Sequence, residues 1–428
     1  MEEKLALLGG APTIGAPFSR YNSIGEEEVA AVTNVLRSGV LSRYLGCWEP
    51  DFFGGDQVRA FESAWSAYFR TKHAVAVNSN TSGLICAVGA LGIEPGDEVI
   101  VSSWTMCASA TAILVWNAIP VFADIETDTF NLDPDAIERA ITPLTKAIMV
   151  TDIFGHAADL DGIMDVARRH KLKVIEDCAQ APGAVYKNRF VGTVADIGVF
   201  SLNYHKHIHT GEGGVCVTDD PVLAERLQLI RNHAEAVVGD KGVTDIVNMI
   251  GFNFRMGEIE AAIGIEQLKK LPTLLKTRQN AAERLAAGLR GLKGLRTPMV
   301  KPGCTHVYYQ FPMIYDERQT GVPRQKLVDA LRAEGVPSVS GGYVNVHQLP
   351  MYQKKIAYGS RGFPWVGEIY KGNVSYANGI CPIAEELHEK SYIGIEMCVH
   401  DYVSGDIDLM VRAFRKVWAG LATLRQDA

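Results

Sequence analysis

One lysine stands in a setting that ordinary surface lysines do not share. It is Lys206, within D-I-G-V-F-S-L-N-Y-H-K-H-I-H-T-G-E-G-G-V-C-V-T, residues 196–218. Residues 197–201 are apolar and partly β-branched without a breaker, and 213–218 are rich in valine, so both runs are expected as buried strands. Lys206 falls on the polar, hairpin-like stretch between them, five residues after Ser201 and five before Gly211. A charged lysine is costly to bury; burial lowers its pKa and frees the amine as a nucleophile, as a Schiff-base lysine requires. An exposed loop lysine is the ordinary reading of any single lysine. The serine before it and the G-E-G-G turn after it count against that here.

The same run supports a metal reading. His205, His207 and His209 alternate, and on a strand they would share one face, a workable zinc arrangement with Lys206 pointing the other way. Zinc leaves the glycine turn unexplained. A second candidate is the polar turn 78–83, N-S-N-T-S-G, between an expected strand and an apolar helix. Backbone N–H groups exposed at such a helix start suit a phosphate, although caps of this composition are commonplace.

Composition narrows the class. The 428 residues carry a formal charge of −7, with 47% hydrophobic and 21% charged residues. That is ordinary for a globular protein, argues against nucleic-acid binding, which needs a basic stripe, and allows one large and one smaller lobe. The N-terminal M-E-E-K-L shows no secretory pattern and the apolar runs are strand-sized, so no membrane span is expected. Eight scattered cysteines without a C-x-x-C pair read as reduced thiols of a cytoplasmic protein. Cys178 is expected to be a buried hydrophobe, with a reactive thiol as the alternative.

Along the chain, residues 1–24 read as an extended arm and 26–37 as a helix ending at Gly39. Residues 41–56 are aromatic without a clear period, either packing or a lid over the site. From 60 to 218 strands (73–77, 98–101, 120–123, 147–151, 173–176, 197–201, 215–218) alternate with helical stretches such as 135–141 and 160–170. That alternation implies an α/β fold with a mostly parallel sheet covered on both faces, and ligands beyond the strand ends. A helix over 257–270, interrupted at Pro272 and resuming to 292, marks the boundary between a large domain, 25–270, and a small C-terminal domain, 271–428. The latter holds a strand at 308–314, a helix at 324–334 and a terminal helix at 406–424.

The pattern S-x-x-x-x-K-x-x-x-x-G-E-G-G, from Ser201 to Gly214, resembles the cofactor-lysine segment of the DegT/StrS-type sugar aminotransferases, fold-type I enzymes that use pyridoxal 5'-phosphate (PLP). One branch of that family has histidine at the lysine position and dehydrates; Lys206 here favours transamination. Further segments resemble the family in order. E-D-C-A-Q-A-P-G (176–183) implies Asp177 on the ring nitrogen, keeping the cofactor an electron sink, and Gln180 on the ring hydroxyl. Asn80 and Thr81, with Ser201, are implied for the phosphate. Met106 stands where an aromatic residue usually stacks on the ring, and a thioether can pack there. G-F-N-F-R-M (251–256) implies that Asn253 reaches the partner's phosphate in a homodimer with shared sites.

The resemblance implies a large domain with a seven-stranded sheet plus a smaller C-terminal α/β domain, and amino transfer from glutamate or glutamine to a keto-sugar. Tyr186-Lys187-Asn188-Arg189 offers cationic groups: Lys187 and Arg189 suit a nucleotide-linked or otherwise anionic acceptor, or form a solvated turn. Alternatives are a keto-cyclitol acceptor and, because G-G-D-x-V-x-x-F-E (54–62) resembles 3-amino-5-hydroxybenzoate synthases, an aromatising dehydration. A regulatory role is disfavoured by the intact Lys206 and Asp177.

Overall fold

The computed structural model describes residues 3–426. The central sheet contains β1 His73–Val77, β2 Glu98–Ser102, β3 Ile119–Ala123, β4 Thr145–Thr151 and β5 Lys173–Asp177. After the small hairpin of β6 Val185–Tyr186 and β7 Arg189–Phe190, it is completed by β8 Ile197–Ser201 and β9 Gly214–Thr218. The order across the sheet is β1-β9-β8-β5-β4-β2-β3. Only β9 runs against its neighbours, β1 and β8. β1, β2, β4, β5 and β8 therefore all deliver their carboxyl ends to one edge.

Both faces of this sheet are covered, which explains strands that are apolar throughout rather than alternating. Ile100 and Ile148 enter the core on one face while Val99, Val101 and Met149 enter the other. Strands β2, β8 and β9 are buried at every position. The seven strands fall where the sequence places them, to within two residues at either end.

A second, antiparallel sheet has the order β10 Leu295–Arg296, β11 Gln310–Tyr315, β13 Tyr392–Glu396 and β12 Val339–Gly341. Strand β11 starts later than the sequence suggests, because Tyr308 takes a left-handed φ of 53°. The terminal helix is likewise divided into Ser404–Ala419 and Leu421–Gln426.

Pro272 does not interrupt its helix. Glu258–Leu289 is one element with the proline inside it. An internal proline costs about 3 kcal/mol, but Leu268, Leu271 and Leu275 on either side are locked into the core under the large sheet, and that packing holds the helix through the lost hydrogen bond. Residues 343–391, sequentially in the C-terminal part, pack against the large sheet: Tyr376 donates to the Pro120 carbonyl at 2.7 Å and Tyr370 to Glu98 Oε1 at 2.7 Å. They thereby cover the edge strand β3.

The aromatic stretch 41–56 is anchored rather than free. Phe52 is fully buried, its ring meets Trp48 and Phe53, and Asn232 Nδ2 donates to the carbonyls of Leu45 and Phe52. The following helix, Asp56–Phe69, brings Glu62 to Arg231 at 2.6 Å, where both also bond Ala76 of β1. This ion pair accounts structurally for the glutamate of the G-G-D-x-V-x-x-F-E stretch. Removing one member of a buried pair strands the other charge. Arg231→Leu is expected to lower stability by about 3–5 kcal/mol, and Glu62→Leu/Arg231→Leu to recover much of it, as read by urea unfolding.

Candidate active site

Loops at the carboxyl ends of β1, β2, β4, β5 and β8 converge with residues of the second sheet. Lys206, on a series of turns after β8, is buried, and its Nζ lies 4.2 Å from the centroid of the Tyr309 ring. Burial pushes its pKa down to about 8, partly offset by Cys398, Asp177 and Glu396. Lys206 thus sits in a dry setting walled by Tyr309, a residue that no local sequence signal announced.

Asp177 closes β5 and is fully enclosed. Its Oδ2 accepts from Ser109 Oγ at 2.8 Å, and its Oδ1 from Ala179 N at 3.2 Å and Asn80 Nδ2 at 3.4 Å. Burial still raises its pKa, with the Ser109 bond and the Lys206 charge opposing. Ser109 was not singled out in the sequence; it follows Thr105 by one helical turn, and the two hydroxyls are 2.7 Å apart.

Gln180 is oriented by the Phe154 N–H, which donates to Oε1 at 2.7 Å, leaving its amide nitrogen 3.4 Å from the Tyr343 hydroxyl. Phe154 carries a left-handed φ of 58°, strain of the kind that collects at functional sites.

Asn80 and Thr81 open the helix Asn80–Ala90, capped by Ser79. Gly214 of β9 lies against this turn so closely that a Cβ there would stand 2.7 Å from the Asn80 nitrogen. Ser201, at the end of β8, pairs with that same Gly214. Met106 is exposed in the loop after β2, whereas Trp104 is fully buried, stacked on Phe130 and donating to Asn345 Oδ1 at 2.8 Å. Asn253 is exposed, takes a hydrogen bond from Arg255 at 2.7 Å and sits on a segment that bridges β1.

Lys187 and Arg189 are not gathered into this group. They flank a tight turn in which Lys187 and Asn188 both have positive φ; Lys187 pairs with Asp161 and Arg189 bonds the Thr193 carbonyl. The histidines also separate, because residues 203–210 form turns rather than a strand. His207 Nε2 meets the Val307 carbonyl at 2.9 Å and His209 Nδ1 accepts from Gly211 N at 3.3 Å.

Among the described residues, the cluster whose ligand-type atoms lie within 4.8 Å of one another is Asp152, Glu176 and Cys178, all buried. Burial and the neighbouring carboxylates keep the Cys178 thiol protonated, so it is not a reactive cysteine. Asp152 and Glu176 cannot both ionise there. Burial raises both pKa values: backbone N–H groups of 192, 194 and 195 oppose the rise for Glu176, while Asp152, 3.3 Å from Cys178 Sγ, is held well above the usual carboxylate range.

These donors fit a phosphorylated pyridine aldehyde: a dry amine, a buried carboxylate short of a cationic partner, and hydroxyls and a helix start beside them. Residues 22–388 match the DegT/DnrJ/EryC1/StrS aminotransferase family. The chain belongs to that family. It is 35% identical over 388 residues to the spore coat polysaccharide biosynthesis protein SpsC of Bacillus subtilis, covering 89% of this chain and 96% of that one. It is 33% identical to the L-glutamine:2-deoxy-scyllo-inosose aminotransferase of Streptomyces kanamyceticus, covering 98% of each. DesV of S. venezuelae superposes with a TM-score of 0.75 at 31% identity, covering 92% and 94%. A 3-amino-5-hydroxybenzoic acid synthase at 23% identity and TM-score 0.78 shares the fold, with 94% and 99% covered. As a member of this family the chain is a PLP-dependent sugar or cyclitol aminotransferase with the fold-type I architecture. No described helix is long and apolar enough to cross a membrane.

The depressed lysine pKa has a kinetic consequence. Only the neutral amine attacks the cofactor aldehyde, so a lowered pKa extends the reactive range toward neutrality. The rate at which PLP loads onto the apoprotein should rise with pH and level off above about 8, as followed by absorbance, rather than climbing toward the 10.4 of a free lysine.

Proposed function

We propose that this aminotransferase moves an amino group, by a two-step exchange at one site, from glutamine or glutamate to the ketone carbon of a polyhydroxylated ring, a keto-cyclitol or keto-sugar. The observation that carries the reading is the Lys206 amine, held in a dry pocket between Tyr309 and the Asp177 network. Glutamine as donor and a cyclitol ketone as acceptor are supported by likeness to the 2-deoxy-scyllo-inosose enzyme along 98% of this chain. The engagement of Lys187 with Asp161 and of Arg189 with the Thr193 carbonyl removes the support that these cations gave to an anionic acceptor.

PLP bound here supplies an electron sink that weakens the donor's Cα–H bond and carries the amino group between the two substrates. Lys206, once released from the aldehyde, takes the Cα proton as its neutral amine and returns it on the cofactor side as ammonium. The low dielectric that lowers its pKa also equips it to do both near neutrality. Asp177 would hold a positive charge on the ring nitrogen, with Ser109 and Asn80 orienting its carboxylate. Gln180 would offer its amide N–H groups to the ring hydroxyl oxygen, its carbonyl being fixed by Phe154. Asn80, Thr81 and Ser201 would hold the phosphate and Met106 would pack on the ring, while Asn253, exposed on its protomer, would reach the phosphate held by the second copy of a homodimer.

Borohydride should fix the cofactor to the peptide containing Lys206. Lys206→Ala should retain pyridoxamine phosphate and lose about 10²–10⁴-fold or more in each half-reaction; unchanged single-turnover rates would sink the reading.

Asn253→Ala should weaken phosphate retention with the fold intact. Mixed with Lys206→Ala protein it should regain part of the activity, since one hybrid site has both native residues. Inactive verified heterodimers would mean that sites are not shared.

A further inference from the structure

Glu396 is the last residue of β13, in register with Gln310 of β11. The next N–H, that of Met397, donates to the Tyr309 carbonyl at 3.1 Å. The ladder therefore fixes Glu396 beside the residue whose ring walls the Lys206 amine. Side chains alternate along a strand. Ile395 and Met397 enter the core of the second sheet, so Glu396 and Cys398 face the other way. Cys398 is buried there with Arg278 Nη1 3.6 Å from its sulfur. Glu396, by contrast, is exposed and enters no ion pair among the described residues. Its charge acts on Lys206, Tyr309 and Tyr343.

An unpaired carboxylate fixed beside the residue that walls the reactive amine has a definite selectivity. It accepts hydrogen bonds from hydroxyls, accepts stronger ones from an ammonium group, and repels phosphate or carboxylate. The neighbouring groups are a lysine that takes part in the reaction and tyrosines held neutral by burial. The two cations of the 185–190 hairpin are engaged with Asp161 and Thr193.

We propose that Glu396 selects the acceptor: it receives the ring hydroxyls, or an existing ammonium group, of an unphosphorylated polyhydroxy ketone and turns away nucleotide-linked keto-sugars. This rests on the keto-polyol reading above and names the acceptor class for the same site.

The test uses the intact protein loaded with pyridoxamine phosphate and two ketones, 2-deoxy-scyllo-inosose and a dTDP-linked keto-sugar. Return of the PLP absorbance gives kcat/KM for each. The parent should prefer the uncharged cyclitol ketone, and Glu396→Gln, which keeps shape and loses charge, should reduce that preference by about ten-fold or more. Glu396→Lys should reduce it further. An unchanged ratio in both variants, or a parent that prefers the dTDP-sugar, overturns the assignment of Glu396 alone. Discharge by neither ketone overturns the keto-polyol reading and the assignment together.

Discussion

The Lys206 amine is kept from water by the Tyr309 ring, just before a strand of the second sheet, and by the strand ends of the large sheet. Removing water makes the charged amine costly, which is what lowers its pKa to about 8. The same exclusion makes Asp177 a frustrated anion, short of a counter-charge that a cationic ring nitrogen would supply. Amine and carboxylate are thus conditioned by one desolvated space.

Beneath that space the large sheet is held by unusually polar joints. The ends of β4 and β5 are tied by the Asp152 N–H, which donates to the Asp177 carbonyl at 3.1 Å, and by the Asp152 carboxyl, which accepts from Cys178 Sγ at 3.3 Å. On the other side, Ser103 Oγ meets His347 Nδ1 at 2.7 Å and His347 Nε2 meets Glu385 at 3.0 Å. Serine, histidine and glutamate in a row resemble a hydrolytic triad, but Ser103 and His347 have no exposed surface, and burial lowers the histidine pKa. The row fastens residues 343–391 to the loop that carries Trp104 and Met106.

Much of this was legible in the sequence because it is local. The β-strands announce themselves by unbroken apolar runs, and Lys206, Asp177, Gln180 and the 78–83 turn lie on the loops that follow them. What was not legible comes from residues distant in the chain. Tyr309, Tyr343 and Glu396 come together because β11 and β12 both pair with β13, and an isolated tyrosine or strand-end glutamate has no pattern of its own. Lys187 and Arg189 misled for the converse reason: a Lys-x-Arg turn shows its charges in the sequence but not the Asp161 that neutralises one of them. Pro272 was read by its local preference, which tertiary packing overrode.

The N-terminal arm bears on the order in which the protein is made. Leu5 and Ile14 are buried in the core of the second sheet, and Glu334 accepts from the backbone N–H groups of Ala6 and Thr13. Tyr21 N–H meets the Val399 carbonyl at 3.0 Å, while its hydroxyl donates to the His207 carbonyl at 2.5 Å, beside the reactive lysine. Residues of the arm therefore dock against residues far along the chain. Until strand β13 and the residues after it are translated, the arm has no seat, Tyr309 has no β-partner on that side, and the lysine loop lacks its outer strut. A nascent chain can assemble the large sheet early, yet the amine-bearing pocket closes only after strand β13 has emerged.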